Sequence, residues 1–273
     1  MAPPGYVVYS SGASKYDPCP KGTYQDELGQ KECKRTPAGS VAANTGQANY
    51  TECPKGTYQN LPEQTSCIES PKGHFVAQPG SIAPTPCSPG YFQNELGQSE
   101  CIPSPKGSYV KDPGMRNSHK CPEGTYQGKK GQTDCESSPT GAYVTGTGGT
   151  HYTECLAGTY QNNMGMTSCE PSPAGHFVDK PGSATFTPCE IGYFQNEAGQ
   201  SQCKPSPIGH FVDEAAATDT QACGLGTYQN NIGSSSCISA PAGSYVDAIG
   251  QSTKKLCSRG HYQNLIKQTS CKG

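Results

Sequence analysis

Residues 53–67 read CPKGTYQNLPEQTSC, and this stretch decides the fold. Nearly the same letters stand at Cys19–Cys33 (CPKGTYQDELGQKEC), Cys87–Cys101 (CSPGYFQNELGQSEC) and Cys121–Cys135 (CPEGTYQGKKGQTDC). Four more copies begin at Cys155, Cys189, Cys223 and Cys257. From each cysteine the next lies 14 residues on, then 20, so the period is 34. Fixed self-similarity of this size marks a repeat architecture. Tetratricopeptide repeats share the period but need apolar residues at helical spacing, and here Gly and Pro interrupt every few residues.

The segment between copies is itself a weaker copy. SPKGHFVAQPGSIAPTP, Ser70 to Pro86, aligns with Cys53 onward: Pro71 with Pro54, Gly73 with Gly56, Phe75 with Tyr58. The unit is therefore 17 residues, alternating a form with two cysteines and a form without. The cysteine-free form opens on Ala2, Thr36, Ser70, Ser104, Ser138, Ser172, Ser206 and Ala240, small residues where its sister has Cys. Residues 2–273 thus read as one continuous array of eight repeats: 2–35, 36–69, 70–103, 104–137, 138–171, 172–205, 206–239 and 240–273. The array opens on an ordinary unit start, Ala2-Pro3-Pro4-Gly5, and closes on an ordinary unit end, Cys271-Lys272-Gly273. MAPPGYVVYS lacks the charged leader and apolar run of a signal peptide, so the chain reads as a mature product or an excised segment.

With 6 Phe, 4 Met and no Trp in 273 residues, no single large core is available. Mean hydropathy is −0.68. Such polarity can mean disorder, but disorder usually also shows strong net charge and few aromatics. Here the net charge is −2, and Tyr is plentiful, 16 in all, and recurs at the sixth place of the unit. Covalent stapling replaces the core, as it does in modules too small to bury enough surface. Zinc sites present cysteines two to four residues apart, whereas here the nearest pair is separated by 14. Sixteen cysteines at fixed spacing therefore imply disulfides and an extracellular or cell-surface setting. Pairing across 20 residues would strand Cys19 and Cys271. Local pairing uses all sixteen: Cys19–Cys33, Cys53–Cys67, Cys87–Cys101, Cys121–Cys135, Cys155–Cys169, Cys189–Cys203, Cys223–Cys237 and Cys257–Cys271.

Within one unit, Cys53-Pro54-Lys55-Gly56 has the Pro and Gly placement of a β-turn. Thr57-Tyr58-Gln59 suits a short strand, and Asn94-Glu95-Leu96-Gly97 a second turn. A return strand such as Gln98-Ser99-Glu100 is expected to run to the closing cysteine. In the cysteine-free form, His74-Phe75-Val76 fills the first strand. The predicted fold class is a small disulfide-rich all-β repeat, an elongated solenoid-like rod of short strands and turns with little or no helix.

Stacking brings every sixth position into register. In one form that column is Tyr24, Tyr58, Phe92, Tyr126, Tyr160, Phe194, Tyr228 and Tyr262. In the other it is Val7, Val41, Phe75, Tyr109, Tyr143, Phe177, Phe211 and Tyr245. The expected role is an internal packing ladder, because aromatics bury large areas and solenoids need a continuous core. Asn49-Tyr50-Thr51 makes Asn49 a candidate glycosylation acceptor.

Cys-Pro-x-Gly-Thr-Tyr with a second Cys 14 residues after the first resembles the A1-type module of tumour necrosis factor receptors. It resembles still more the ephrin-receptor-like (GCC2/GCC3) cysteine-rich repeats of extracellular proteins. In those repeats the closing Cys is commonly followed by another, as C-x-x-C-P-x-G. Here Ser70, Ser104, Ser138, Ser172 and Ser206 hold that place, so the resemblance implies a second bridge that this chain lacks. The resemblance implies fold and extracellular setting, while function varies among receptors, adhesins and structural proteins.

Catalysis needs a non-repeating cluster of tuned groups. His74, His176 and His210 alternate with Ser40, Ser108 and Ser244, which reads as an exposed strand position. Acidic residues such as Asp26, Glu27, Glu95, Asp179 and Glu197 fall in turns. No enzyme, metal site or cofactor is expected, and with basic residues scattered no nucleic-acid partner is expected. No stretch approaches a membrane span in length. Identity is spread evenly along the chain, which suits an extracellular structural rod, a component of a fibre or surface appendage, whose partner is itself, head to tail or side by side. A ligand-binding or adhesive ectodomain that meets other cell-surface proteins is the alternative.

Overall fold

The computed structural model describes residues 1–9 and 15–273. Residues 10–14 lie outside the described residues. Close Cα packing divides the chain into two compact units. The first comprises Met1–Pro122, Tyr126–Glu136 and Thr147–Thr150; the second comprises Glu123–Thr125, Ser137–Gly146 and His151–Gly273. Among the described residues there is no helix, only strands of two residues in antiparallel pairs. The protein is a small disulfide-rich all-β repeat.

Positions 1–17 are counted here from Cys53 or Ser70 and their equivalents. Each hairpin sets positions 5–6 against 16–17. In the first unit Thr57 pairs with Glu69 and Tyr58 with Ile68; in the second, His176 pairs with Pro188 and Phe177 with Thr187. Proline is tolerated at position 17 because a two-residue ladder is all edge. The return strand therefore differs from expectation. Gln98–Glu100 forms no strand, with Ser99 and Glu100 in a bend, and the strand is Ile102–Pro103, beyond the closing Cys101. The reason is that position 7 leaves the hairpin after two residues and hydrogen-bonds the next half-unit instead.

Four main-chain hydrogen bonds tie each half-unit to its successor. In the first unit Gly39 N donates to Gln59 O (2.7 Å) and Gln59 N to Ser81 O (3.1 Å). Cys53 N donates to Gly39 O (2.9 Å) and Gly80 N to Cys53 O (2.9 Å). The second unit repeats them: Gly175 N to Gln195 O (2.7 Å), Gln195 N to Ala217 O (3.0 Å), Cys189 N to Gly175 O (2.8 Å) and Ala216 N to Cys189 O (2.8 Å). Two-residue strands persist because their remaining polar groups are satisfied in this way.

Position 4 reaches further, to the half-unit after next. Gly56 has φ +82°, and a Cβ there would lie 2.8 Å from the carbonyl carbon of Gly97 and closer still to its oxygen. In the second unit Gly158 meets Gly199 in the same way. Position 11 itself takes left-handed backbone, usually as Gly but also as Glu63, Ala216 and Lys267 (φ 60°, 58° and 56°).

The enclosed columns are positions 1 and 7. In the first unit Cys53, Ser70 and Cys87 are fully buried, as are Gln59, Val76 and Gln93 to within 3%. In the second, Cys155, Ser172 and Cys189 match them, with Gln161, Val178 and Gln195. The position 6 aromatics expected inside are half-buried, and Tyr262 is 56% exposed; only Val7 and Val41 of that column are enclosed. A small side chain at position 1 lets backbones approach, so the core is narrow and excludes large rings.

Serine at position 1 adds a bond to this core. Ser70 Oγ donates to Gln98 O (3.1 Å) in the first unit, and Ser172 Oγ to Gln200 O (3.2 Å) in the second. Thr36 occupies the same place with its Oγ1 buried and unpartnered. We expect Thr36→Ser to raise stability and Ser172→Ala to lower it, each by about 1 kcal/mol. Thermal unfolding of the two variants checks this; shifts of the same sign would refute it.

Candidate functional site: a repeated groove beside the disulfides

All sixteen cysteines are bridged at a separation of 14, from Cys19–Cys33 (Cα–Cα 5.7 Å) to Cys257–Cys271 (5.7 Å), with none left free. The intermediate bridges are Cys53–Cys67, Cys87–Cys101, Cys121–Cys135, Cys155–Cys169, Cys189–Cys203 and Cys223–Cys237. Seven of the eight join a buried position 1 to a half-exposed position 15, and in the eighth Cys257 is itself half-buried, so one face of every bridge looks outward.

A glutamine clip braces the same loop. Gln161, 1% exposed, donates from Nε2 to Ser168 O (3.0 Å) and accepts Asn163 N at Oε1 (3.0 Å). In the first unit Gln59 donates likewise to Ser66 O and accepts Leu61 N. From sequence this residue is expected only to end a short strand, yet Gln stands at position 7 of all eight cysteine forms. A polar residue fixed at one place in every repeat is a signal of buried hydrogen bonding. Gln161→Leu should cost about 2–4 kcal/mol by stranding two backbone groups. Gln161→Glu should be as harmful at neutral pH and partly recover in acid, where the protonated carboxyl regains a donor. Unfolding curves at pH 7 and pH 4 check both, and the idea fails if Glu behaves alike at the two.

Polar residues outside the core make local pairs. Lys34 meets Asp26 (2.7 Å) and Glu27 (2.9 Å), and Lys255 meets Asp247 (2.8 Å). Hydrogen bonding to the lysine holds each aspartate below the usual carboxylate range, and the partner ammonium is raised. These groups are solvent-exposed, so the pairs are screened and worth little. Burial, then the bond to Glu170, pushes the Tyr160 hydroxyl up. The histidine position proves covered rather than exposed. Ser40 and Ser244 are buried and donate to Pro37 O and Pro241 O, while His74 and His176 turn Nδ1 to Lys72 O and Ala174 O. Both side chains reach a carbonyl of the same turn, which explains their interchange. No group of three His, Cys, Asp or Glu close enough to hold a metal occurs among the described residues. Asn49 is exposed on a bend, next to Tyr50, which packs edge-on against Tyr24 at 5.2 Å.

In the second unit the half-buried aromatics line a recurring groove. One groove of 360 Å³ has Tyr143, Leu156, Thr159 and Cys169 on its walls. The equivalents one repeat on, Phe177, Glu190, Tyr193 and Cys203, line 240 Å³. Two repeats further, Tyr245, Ser258, His261 and Cys271 line 400 Å³. Each groove thus lies between the ring of a cysteine-free hairpin and the outward face of the next disulfide.

The family model for tyrosine-protein kinase ephrin type A/B receptor-like repeats matches residues 5–53, 39–85, 141–187, 185–223 and 221–257. The chain belongs to this ephrin-receptor-like family. The family repeat is a non-catalytic cysteine-rich module of extracellular domains, receptor-type or structural. Two of the matched segments, 39–85 and 141–187, each open in a cysteine-free half-unit and take in the following disulfide loop. None of the curated proteins is significantly similar to the chain. No helix among the described residues is long and apolar enough to cross a membrane.

Proposed function

We propose that this ephrin-receptor-like array is an extracellular structural rod, a component of a fibre or surface appendage whose copies join end to end. The observation that carries this reading is the sameness of the four main-chain bonds from one half-unit to the next within each unit. A property multiplied evenly by repetition is length, whereas a ligand site needs one repeat to differ.

End-to-end joining would extend contacts that already recur within each unit: position 4 of one half-unit packs against position 11 of the half-unit after next, as Gly56 does on Gly97 and Gly158 on Gly199. A second copy that supplied such half-units would continue the array, and contacts that do not close on themselves generate open filaments. Electron microscopy of native material tests the reading, together with light scattering of a variant bearing a charged, proline-containing cap at each end. Fibres whose growth the caps abolish support it. Isolated short particles that bind another cell-surface protein would overturn it in favour of an ectodomain.

A further inference from the structure

The second unit carries apolar knobs with the same period as its grooves. Met164, Ile232 and Ile266 stand at position 10 of their half-units and are 66%, 65% and 64% exposed. Each is held rigidly. The residue before it donates its amide to the glutamine clip: Asn163 N to Gln161 Oε1 (3.0 Å), Asn231 N to Gln229 Oε1 (3.0 Å), Leu265 N to Gln263 Oε1 (3.1 Å). The residue after it donates to the preceding half-unit: Gly165 N to Ser138 O, Gly233 N to Ser206 O, Lys267 N to Ala240 O. A clamped turn that points an uncovered aliphatic side chain at solvent has already lost the freedom that binding would remove.

The spacing of these three knobs matches, in reverse, the spacing of the three grooves just described. From the Tyr143 groove to the Phe177 groove is one repeat, and from there to the Tyr245 groove is two. Read backwards, Ile266 to Ile232 is one repeat and Ile232 to Met164 is two, with Ala198 at the place between. We propose that the second unit pairs side by side with the same unit of a second copy, antiparallel. Ile266 enters the Tyr143 groove, Ile232 the Phe177 groove and Met164 the Tyr245 groove. The assignment is reciprocal, so one two-fold axis seats six knobs at once, as an isologous interface requires. A partner without this spacing would fill a single groove, and linked weak contacts gain strength only when all are engaged together.

This pairing rests on the structural reading above and supplies the lateral contact of the rod. Glu190 on the wall of the Phe177 groove gives the register a charge test. Ile232→Lys would place an ammonium beside Glu190, and Ile232→Asp a second carboxylate. Sedimentation equilibrium of the full chain should show a dimer that Ile232→Asp weakens at least about tenfold. Ile232→Lys should weaken it less, and Glu190→Lys added to Ile232→Asp should restore it. Near-UV circular dichroism reports whether each variant keeps its fold, since both positions are exposed. A parent that stays monomeric at millimolar concentration overturns the pairing, as does association indifferent to Ile232→Asp or unrescued by Glu190→Lys. The end-capped variants separate the two readings: failure of lateral pairing leaves fibres one chain wide, whereas failure of end-to-end joining leaves dimers that do not lengthen.

Discussion

Complete reduction and alkylation is expected to abolish the β-sheet signal and expand the chain to random-coil dimensions. Each bridge closes a loop of 14 residues' separation, which contributes about 3 kcal/mol in the chain-entropy model. A whole domain is typically stable by only about 5–15 kcal/mol, and here there are eight such bridges over a core of small residues and single Val or Gln side chains. The aromatic rings cannot compensate, because they are half-exposed and lie beside the core rather than in it. Circular dichroism and small-angle scattering before and after alkylation decide the matter. Retained strand signal with unchanged dimensions would mean that main-chain bonding alone holds the repeats.

The second large effect concerns a single hydrogen replaced by a methyl group. Gly56→Ala should destabilise its neighbourhood by about 4 kcal/mol or more, because the new Cβ enters the carbonyl of Gly97 and both partners are backbone, with no side chain free to swing away. Gly243→Ala is the matched control. Gly243 has φ +81° against +82° for Gly56, but nothing lies within 4 Å of its Cβ position. That variant should lose only the left-handed penalty of about 1–2 kcal/mol. Hydrogen exchange at Gly73 and Gly97 near the first site, and at Ser244 near the second, reads the local losses. Equal losses at the two sites would show that the turn, and not the approach of the later half-unit, fixes glycine there.

The two substitutions also mark the boundary of what the amino-acid sequence reveals. The all-β repeat was legible because its causes are local: Pro-x-Gly turns, β-branched and aromatic pairs, and cysteines at one spacing. The approach of Gly56 to Gly97 was not, because it joins backbone to backbone between half-units that are not adjacent, and no side-chain property records it. The same limit explains the return strand. Ile102–Pro103 is a strand only because Gln93 leaves its hairpin to bond Met115 O in the next half-unit. The half-exposed rings follow from a similar cause. Phe92 and Tyr160 have the size of core residues, but the buried space is set by Cys and Ser at position 1, which bring the chains too close for a ring. Gln161 and its equivalents were readable in principle, since a residue fixed at one place in all eight cysteine forms asks for a reason even when it is polar. Of the candidate site, the bridges and rings could be named in advance. The grooves could not, since each needs two half-units set side by side.

The reach of position 4 to the half-unit after next governs how a gene for such a protein could change its length. Like always touches like across that contact: Gly56 and Gly97 both belong to cysteine forms, Gly73 and Gly114 to cysteine-free ones. Loss or gain of one half-unit would bring the wrong kinds together in the contacts that span the join, setting clipped turns where unclipped ones belong. Loss or gain of 34 residues would leave every contact with a partner of its own kind. Unequal crossing-over in whole repeats is then structurally silent, and two half-units are the smallest step by which the array can grow or shrink.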